Sequence, residues 1–451
     1  MDIPWSITPR EQELAGRCLD MAVAAGAQAA RITLGKSMMD LFLLRDGILD
    51  KVSRSGDRSL TLNLFCDGRY GTFSTNRLEE KGLEDFIRKA AGTVRMLAPD
   101  PARKLPDPSR VEKDARTGLE TGLYDPAYAS MDRQKRMQCL IAGSALYKGT
   151  RALNGCETVS EETEYSDSVS DTYVIDTQGT ECRHIESSFE IGCETTVRDP
   201  QGNKWSGYWW EASPFLDRFS PEGCGEKALA RAVRTACPQT HPGGRMAMVV
   251  ENEVASRLVN PLLSALGAFA IQQNNSFLAG KLGEKVFPDG LTIMDMPRQK
   301  GCNGSRLFDS EGVATCERPI IREGIVDMYF VNTYMSGKLG IAPTVEDATR
   351  PVVLPFGDAA TAAGMMAAFP EGILVTGFNG GNSNAATGDF SYGVEGLYFR
   401  GGEPVHPVRE MVITGNFLSL WNNLTHAGND ARACMSKQIP SLAFRDVDFS
   451  G

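Results

Sequence analysis

Histidine is scarce in this 451-residue sequence: only His184, His241, His406 and His426 occur, and no two stand at the spacing that lets one helix present both to a metal. There is no His-Glu-x-x-His, so the ordinary zinc-hydrolase signature is missing. The eleven cysteines, at positions 18, 66, 139, 156, 182, 193, 224, 237, 302, 316 and 434, include no Cys-x-x-Cys and no cysteine-histidine cluster. Their odd number and scatter argue against a disulfide framework and point to free thiols in a reducing compartment. No glycine-rich segment ends in Gly-Lys-Ser/Thr, which argues against a nucleotide phosphate site. Lys and Arg number 47 against 57 Asp and Glu, a formal net charge of −10, and they form no basic tract. The most basic stretch, Arg88 to Arg110, alternates with Asp, Pro and Leu and reads as a solvated linker. Direct nucleic-acid binding, which needs phosphate neutralisation, finds no support. No run of eighteen uncharged apolar residues occurs, and Met1-Asp2-Ile3-Pro4-Trp5 lacks the positive region and apolar run of a secretion signal. A cytoplasmic protein that never enters a membrane is the expectation.

What is present is ordinary globular material, 42% hydrophobic and 23% charged, enough chain for two or three domains. Thr8-Pro9-Arg10-Glu11 offers an N-cap, a proline at the first helical position and a glutamate three residues after the cap, predicting a helix over about Pro9 to Gly26. Strands are expected around Ile32, over Met39 to Leu44 and through Leu60, Leu62 and Leu64, with turns at Asp46-Gly47 and Asp67-Gly68. A helix over about Glu79 to Leu97 follows, and Pro99, Pro101, Pro106 and Pro108 mark an extended linker. After a helix over about Asp132 to Tyr147, alternation from Val159 to Ser213 predicts a long-stranded antiparallel meander, turned at Gln178-Gly179 and Asp199-Pro200-Gln201-Gly202. Its last strand carries Trp205, Trp209 and Trp210, which serve either packing or a binding surface. Next come a helix over about Gly225 to Ala236, a strand over Met246 to Val250 and a helix over Asn252 to Ala270. The remainder, rich in Gly and Asn, is interrupted by one helix over about Ala359 to Phe369. Strands in blocks define an α+β protein: an N-terminal helix-plus-antiparallel-sheet unit at 1–98, a linker at 99–113, a middle helix-and-meander unit at 114–240 and a β-rich C-terminal domain at 241–451.

Three places bear chemistry. Gly377 to Gly393 packs five glycines among amides, acids and hydroxyls, and reads either as backbone laid open to a ligand or as a turn between two strands. Asp309-Ser310-Glu311-Gly312 suits a peptide's amide groups or a cation, or else an Asx turn leading into a strand at Val313. His426, Asp430 and Cys434 form the one grouping that resembles a ligand set or a Cys-His pair, whereas His184 on a meander strand and His406 between prolines read as structural. The carboxylate pairs Glu161-Glu162, Glu251 with Glu253, and Asp309 with Glu311 lack sequence neighbours that would raise a pKa, and are expected in turns and on surfaces.

Phe308 to Val313, the Gly377 to Gly393 segment with its Thr387-Gly388-Asp389-Phe390-Ser391 core, and Gly415-Asn416 through Gly428-Asn429-Asp430 resemble, in order and spacing, the C-terminal half of the TldD/PmbA family. The resemblance is greatest to its PmbA (TldE) branch, and Leu64 to Thr75 supports it in the N-terminal half. It implies a fold shared with zinc peptidases that cleave unfolded peptides with a His-Glu-x-x-x-His helix and a cysteine ligand. Aligned through Phe277-Leu278-Ala279-Gly280, those helix positions fall near Val259, Asn260 and Ser264, none a working residue type. The helix keeps an apolar face of Leu258, Leu262, Leu263, Leu266 and Phe269, interrupted by Pro261, and Cys434 follows Asp430 too soon to match the ligand cysteine.

The resemblance therefore implies no catalytic residue, metal or cofactor in this chain, and zinc in a TldD-like peptidase paralogue with which it forms a heterodimer, a homodimer being the other possibility. Unfolded peptides would be held, as an added β-strand, by Asp309, Ser310, Glu311, Asn379, Gly380, Thr387, Asp389, Ser391, Asn429 and Asp430. Two other readings stay open: a self-sufficient hydrolase using His426, Asp430 and Cys434 as non-standard metal ligands, and an interaction protein that modulates DNA gyrase.

Overall fold

Thr8 caps the first helix as its local sequence dictates: its side chain accepts from Glu11 N–H, and the Glu11 carboxylate accepts from Thr8 N–H at 2.7 Å. The computed structural model describes residues 3–451, so Met1 and Asp2 of the segment inspected for a secretion signal lie outside the described residues. Helix α1 (Pro9–Ala24) buries Leu14, Ala15, Cys18 and Ala22 against β1 (Ala29–Arg45) and β2 (Ile48–Cys66). The Asp46-Gly47 and Asp67-Gly68 turns into β2 and β3 (Arg69–Thr75) take positive φ at both residues, the conformation that matches the strands' own twist. Helix α2 (Glu80–Val94) completes this layer.

Residues 99–113 run irregularly to a bridge between Val111 and Val313. Helix α3 (Arg133–Gly143), capped by Asp132, precedes β4 (Ala152–Leu153), β5 (Cys156–Asp176), β6 (Glu181–Arg198) and β7 (Lys204–Ser213), and α4 (Cys224–Arg234) covers β6 and β7. The expected meander is present, but it is not a sheet of its own. The strand order is β3-β2-β1-β5-β6-β7, with β4 on β5, and β1 runs antiparallel to β5 from Arg31 opposite Asp176 to Arg45 opposite Glu162. Strands from both sides of the proline-rich segment thus share one seven-stranded sheet.

In that pairing Asp40 lies directly opposite Asp167, a juxtaposition of like charges that destabilises a sheet. Arg136 of α3 resolves it from a buried position. Its Nε and Nη2 donate to Asp167 at 2.6 and 2.9 Å, and Nη2 lies 3.0 Å from Asp40. Tyr165 donates a further bond to Asp167 at 2.9 Å, and Arg54 forks onto Asp40 at 2.8 and 2.9 Å.

The C-terminal region opens with β8 (Gly243–Val250), α5 (Ser256–Ala265) and α6 (Ala268–Gln272). There follow β9 (Ile293–Asp295), β10 (Arg318–Arg322), β11 (Ile325–Val326), α7 (Thr333–Leu339), β12 (Pro351–Val353) and α8 (Ala362–Ala367). The chain ends with β13 (Glu371–Ser383), β14 (Asp389–Arg400), β15 (Glu403–Asn416), α9 (Phe417–Asn422), β16 (Leu424–Ala427) and β17 (Leu442–Ser450). A six-stranded sheet, β15-β14-β13-β8-β17-β16, curls so that β15 also reaches β17, and β11-β10-β9-β12 form a smaller sheet. Between them a core built on Met248, Leu258, Leu262, Ile373, Trp421 and Phe444 holds α5 in place. The fold is α+β with a β-rich C-terminal region. No helix among the described residues is long and apolar enough to cross a membrane.

Three details differ from expectation. The helix expected over Asn252 to Ala270 starts only at Ser256 and breaks between α5 and α6 at Gly267, whose backbone is extended. Beyond the break Phe269, expected on the apolar face, is 59% exposed. Helices α7 and α9 were unanticipated; each is a short helix whose N-cap, Asn332 or Asn416, sits in text that reads as turn.

Replacing Arg136 with Met leaves Asp40 and Asp167 facing each other without their shared partner, and should cost about 3–5 kcal/mol of stability. A lowered urea midpoint in R136M, partly restored by adding Asp167→Asn, is the expected result.

Candidate functional site

Helix α5 is two-faced. Leu258, Val259, Leu262 and Leu263 are buried, while the adjacent Ser256 and Arg257, then Asn260 and Ser264 at further steps of three and four residues, form a polar stripe along the other side. Two clefts meet on that stripe at Asn260. One, of about 620 Å³, separates Ser256, Asn260 and the Cys434–Lys437 turn from the open face of β5–β7, where Ser170, Glu186, Glu190 and Trp210 line it. The other, of about 520 Å³, runs between Arg257, Asn260 and Ser264 and the Gly381–Ala385 end of β13, over Phe277 and Phe417.

The glycine-rich segment is the far half of the β13–β14 hairpin, so both readings of it describe the same object. It is a turn between strands, and it leaves backbone exposed. β8 pairs with β13 only from Gly372 to Val375, and beyond that point the second edge of β13 through Ser383 pairs with no strand among the described residues. Two bulges, between Val375 and Gly377 and between Asn379 and Asn382, kink this free edge. At Gly381 φ is +88°, and a Cβ would stand 2.1 Å from the Ser391 carbonyl oxygen, so only glycine lets the two strands close there. Beneath the hairpin, ring centroids of Phe390 lie 4.8 Å from Phe417 and 5.4 Å from Tyr392, and Phe277 stacks on Phe417 at 5.7 Å.

The residues singled out from sequence fall in different places. Gly380 takes positive φ in the second bulge, Ser391 is exposed opposite Asn382, and Asn379 donates to Glu395 at 3.0 Å. Asp389 ties the hairpin tip together, accepting from Thr387 at 2.7 Å and from Asn416, the cap of α9, at 2.9 Å; the Asn416 bond, then Thr387, hold its carboxyl below the ordinary range. Asn429 is exposed and its backbone N–H bonds to Ala360. The Asp430 carboxylate accepts both the backbone N–H and the hydroxyl of Ser441, at 2.8 and 2.7 Å. Asp389 and Asp430 thus hold turns with their carboxylates.

The Asp309 turn is an Asx turn: one carboxylate oxygen accepts from Glu311 and Val313 N–H at 2.9 and 3.0 Å, the other from Glu346 N–H at 3.2 Å. Glu311 accepts from Thr333 N–H and hydroxyl at 2.9 and 2.8 Å, and Ser310 bonds to Glu346. Asp309 and Ser310 line a recess with His184 and Glu186, and Glu186 continues into the larger cleft. Contrary to the sequence reading, burial pushes the Asp309 carboxyl up to about 6, outweighing the Val313 bond, with Glu311 adding repulsion.

At the positions where the resemblance would put zinc ligands and a general base, Val259 is buried in the core and Asn260 accepts from Lys437 Nζ at 2.6 Å. Ser264 faces the second cleft. An isopropyl group, an amide already hydrogen-bonded to an ammonium and a neutral hydroxyl do not make a zinc site. Among the described residues no group of three or more His, Cys, Asp or Glu side chains is placed to hold a metal ion. The alternative grouping is dispersed as well. His426 bonds Asp358 at 3.0 Å and Thr425 at 3.1 Å, Asp430 bonds Ser441, and Cys434 lines the larger cleft, its thiol pushed up by burial, the reverse of what a nucleophile needs.

Sequence reasoning missed Lys437, Arg257 and Tyr392. It left the tryptophans open. Trp209 stacks against Arg432 at 4.2 Å and Lys227 at 4.8 Å, Trp205 against Arg409 at 5.3 Å, and Trp210 reaches the cleft. They join β7 to the C-terminal region.

Three family models match successive stretches of the chain: PmbA/TldA metallopeptidase domain 1 over residues 41–93, the central domain over 134–236 and the C-terminal domain over 243–451. Metalloprotease PmbA of Escherichia coli O157:H7 is 26% identical over 442 residues, covering 98% of this chain and 96% of that protein. A crystal structure of a candidate modulator of DNA gyrase from Bacteroides thetaiotaomicron superimposes with a TM-score of 0.93 at 38% identity, over 99% of this chain and 100% of that one. TldE from Thermococcus kodakarensis shares the fold with a TM-score of 0.80 at 17% identity, over 97% and 100% of the two chains.

An acid whose folded pKa lies above its unfolded value stabilises the fold fully below the unfolded pKa, and loses that contribution as pH rises through the folded one. For Asp309 the window runs from the ordinary carboxylate range up to about 6. Melting temperature against pH should carry a downward component across this window in the native protein, and D309N should flatten it while lowering the overall value.

Proposed function

The chain belongs to the PmbA/TldD metallopeptidase family, and from that premise we propose that it binds unfolded peptides as the metal-free member of a peptidase pair, leaving hydrolysis to a zinc-bearing paralogue. The observation that carries this reading is the free edge of β13 bordering the smaller cleft over α5. An extended peptide adds to such an edge by main-chain hydrogen bonds, which are indifferent to sequence and demand an unfolded ligand. Zinc-dependent hydrolysis needs metal ligands and a base that takes a proton from water. Val259, Asn260 and Ser264 supply neither, while the leucine face of α5 remains packed. The helix serves the fold and presents its polar stripe to the ligand.

The pairing itself is motivated by this division. A peptide rail without a hydrolytic centre performs cleavage only beside one. The acidic balance and lack of a basic tract give no support to contact with DNA, so the gyrase description of its structural relative is not carried to this chain.

The test is cleavage of an unfolded reporter peptide by this chain alone, by its zinc-motif paralogue alone and by the mixture, each with and without a chelator. Activity confined to, or strongly raised in, the mixture is expected. Chelator-sensitive activity in this chain alone would overturn the proposal.

A further inference from the structure

Two cations on the clefts make no ion pair among the described residues. Lys437, half-buried in the turn before β17, gives one of its three ammonium donors to Asn260, and no carboxylate of the described residues lies within 4.0 Å of its Nζ. Asp347, an acid that feels its charge, makes no ion pair with it. Arg257, one turn before Asn260 on α5, sits over the Tyr392 ring at 4.6 Å, and its guanidinium has no hydrogen-bond acceptor or ion-pair partner among the described residues. The two therefore flank Asn260, the point where the clefts meet, Lys437 on the larger and Arg257 on the smaller.

By contrast, Arg234 at the end of α4 is paired with Glu251 at 2.7 Å and Arg322 of β10 with Asp327 at 2.6 Å. The acids of the larger cleft stand on the opposite, sheet-side wall and are engaged. Glu186 bonds His184 at 3.2 Å and Ser170 at 3.3 Å, and Glu190 accepts from Ser188 at 2.7 Å. The larger cleft thus carries its acids along β6 and, on the wall where Asn260 stands, the ammonium of Lys437. A half-buried ammonium with two free donors and, three residues along α5 from its partner Asn260, a stacked guanidinium suit an anion with several acceptor oxygens.

Resting on the peptide-binding reading above, we infer that Lys437 and Arg257 form a carboxylate subsite, which takes either the free C-terminus of the bound peptide or an aspartate or glutamate side chain within it. Main-chain pairing along β13 would supply affinity without regard to sequence, and this subsite would fix where along the rail the peptide stops or which peptides stay.

The experiment measures binding, by fluorescence anisotropy, of labelled unfolded peptides to this chain mixed with its zinc-motif paralogue, the paralogue alone serving as a blank. Three peptides share one uncharged core: a C-terminal amide, the same peptide as the free acid, and the amide with one internal glutamate. The free acid or the glutamate peptide should bind about tenfold more tightly than the neutral amide, the scale of one charge-assisted bond, and added salt should shrink the gap. Which of the two gains identifies the source of the carboxylate. Lys437→Met and, independently, Arg257→Gln should weaken the acidic peptide more than the neutral amide and so reduce that advantage, and Lys437→Arg should retain it. Equal binding of all three peptides, or variants that weaken the neutral amide as much as the acids, would overturn the subsite and leave peptide binding intact. Failure of every peptide to bind above the blank would instead remove the peptide reading, and the subsite with it.

Discussion

Asp40 and Asp167 occupy facing positions on β1 and β5, where two carboxylates in a buried setting are tolerable only with a cation between them. Arg136 comes from α3, so docking of that helix and correct pairing of two strands far apart in sequence amount to one event. A slip of one residue between β1 and β5 would separate the carboxylates from their shared guanidinium and exchange every side chain between the two faces of the sheet. The open face of β5–β7 is a wall of the larger cleft. Ser170 stands on the same strand as Asp167, and Glu186 and Glu190 of β6 are placed opposite α5 by the pairing of β6 with that strand.

On the other wall, α5 does its structural work with one side and leaves chemistry to the other. Its leucines sit in the core between the two C-terminal sheets, which fixes the direction in which Arg257, Asn260 and Ser264 point. The ammonium of Lys437 against Asn260 makes this part of the helix positive without any ion. A divalent cation would meet both a missing donor set and a like charge there. Substitutions at Val259, Asn260 and Ser264 alone do not convey that second point; the lysine that reinforces it arrives from a turn much later in the chain.

That distance explains what was readable in the sequence and what was not. Helix α1 was legible because its signals, Thr8, Pro9 and Glu11, lie within one turn of each other, and the meander because alternation is a property of each strand by itself. The joining of β1 to β5 was invisible, since nothing local in either strand names its partner across the proline-rich segment. Lys437 and Asn260 are separated by 177 positions, and no pattern in either neighbourhood announces the bond. The polar motifs around Asp389 and Asp430 were noticed for their residue types, but their acceptors are taken by Thr387, Asn416 and Ser441, the self-capping that such short polar side chains favour. The raised pKa of Asp309 depends on burial, which composition does not report. Short α7 and α9 escaped because six or seven residues are too few to show a helical period.

The unpaired stretch of β13 has a further consequence. A row of free backbone N–H and C=O groups is as open to another copy of the same strand as to a substrate, and natural sheets guard such edges. Here the guard is the pair of bulges, the second kept by Gly380 and Gly381 at positive φ, which twist the strand so that a straight edge fails to lie along it for more than a few residues. The same irregularity that shapes the proposed peptide rail would keep molecules of this protein from stacking edge to edge, so that one short run of backbone would set colloidal solubility together with the proposed ligand access.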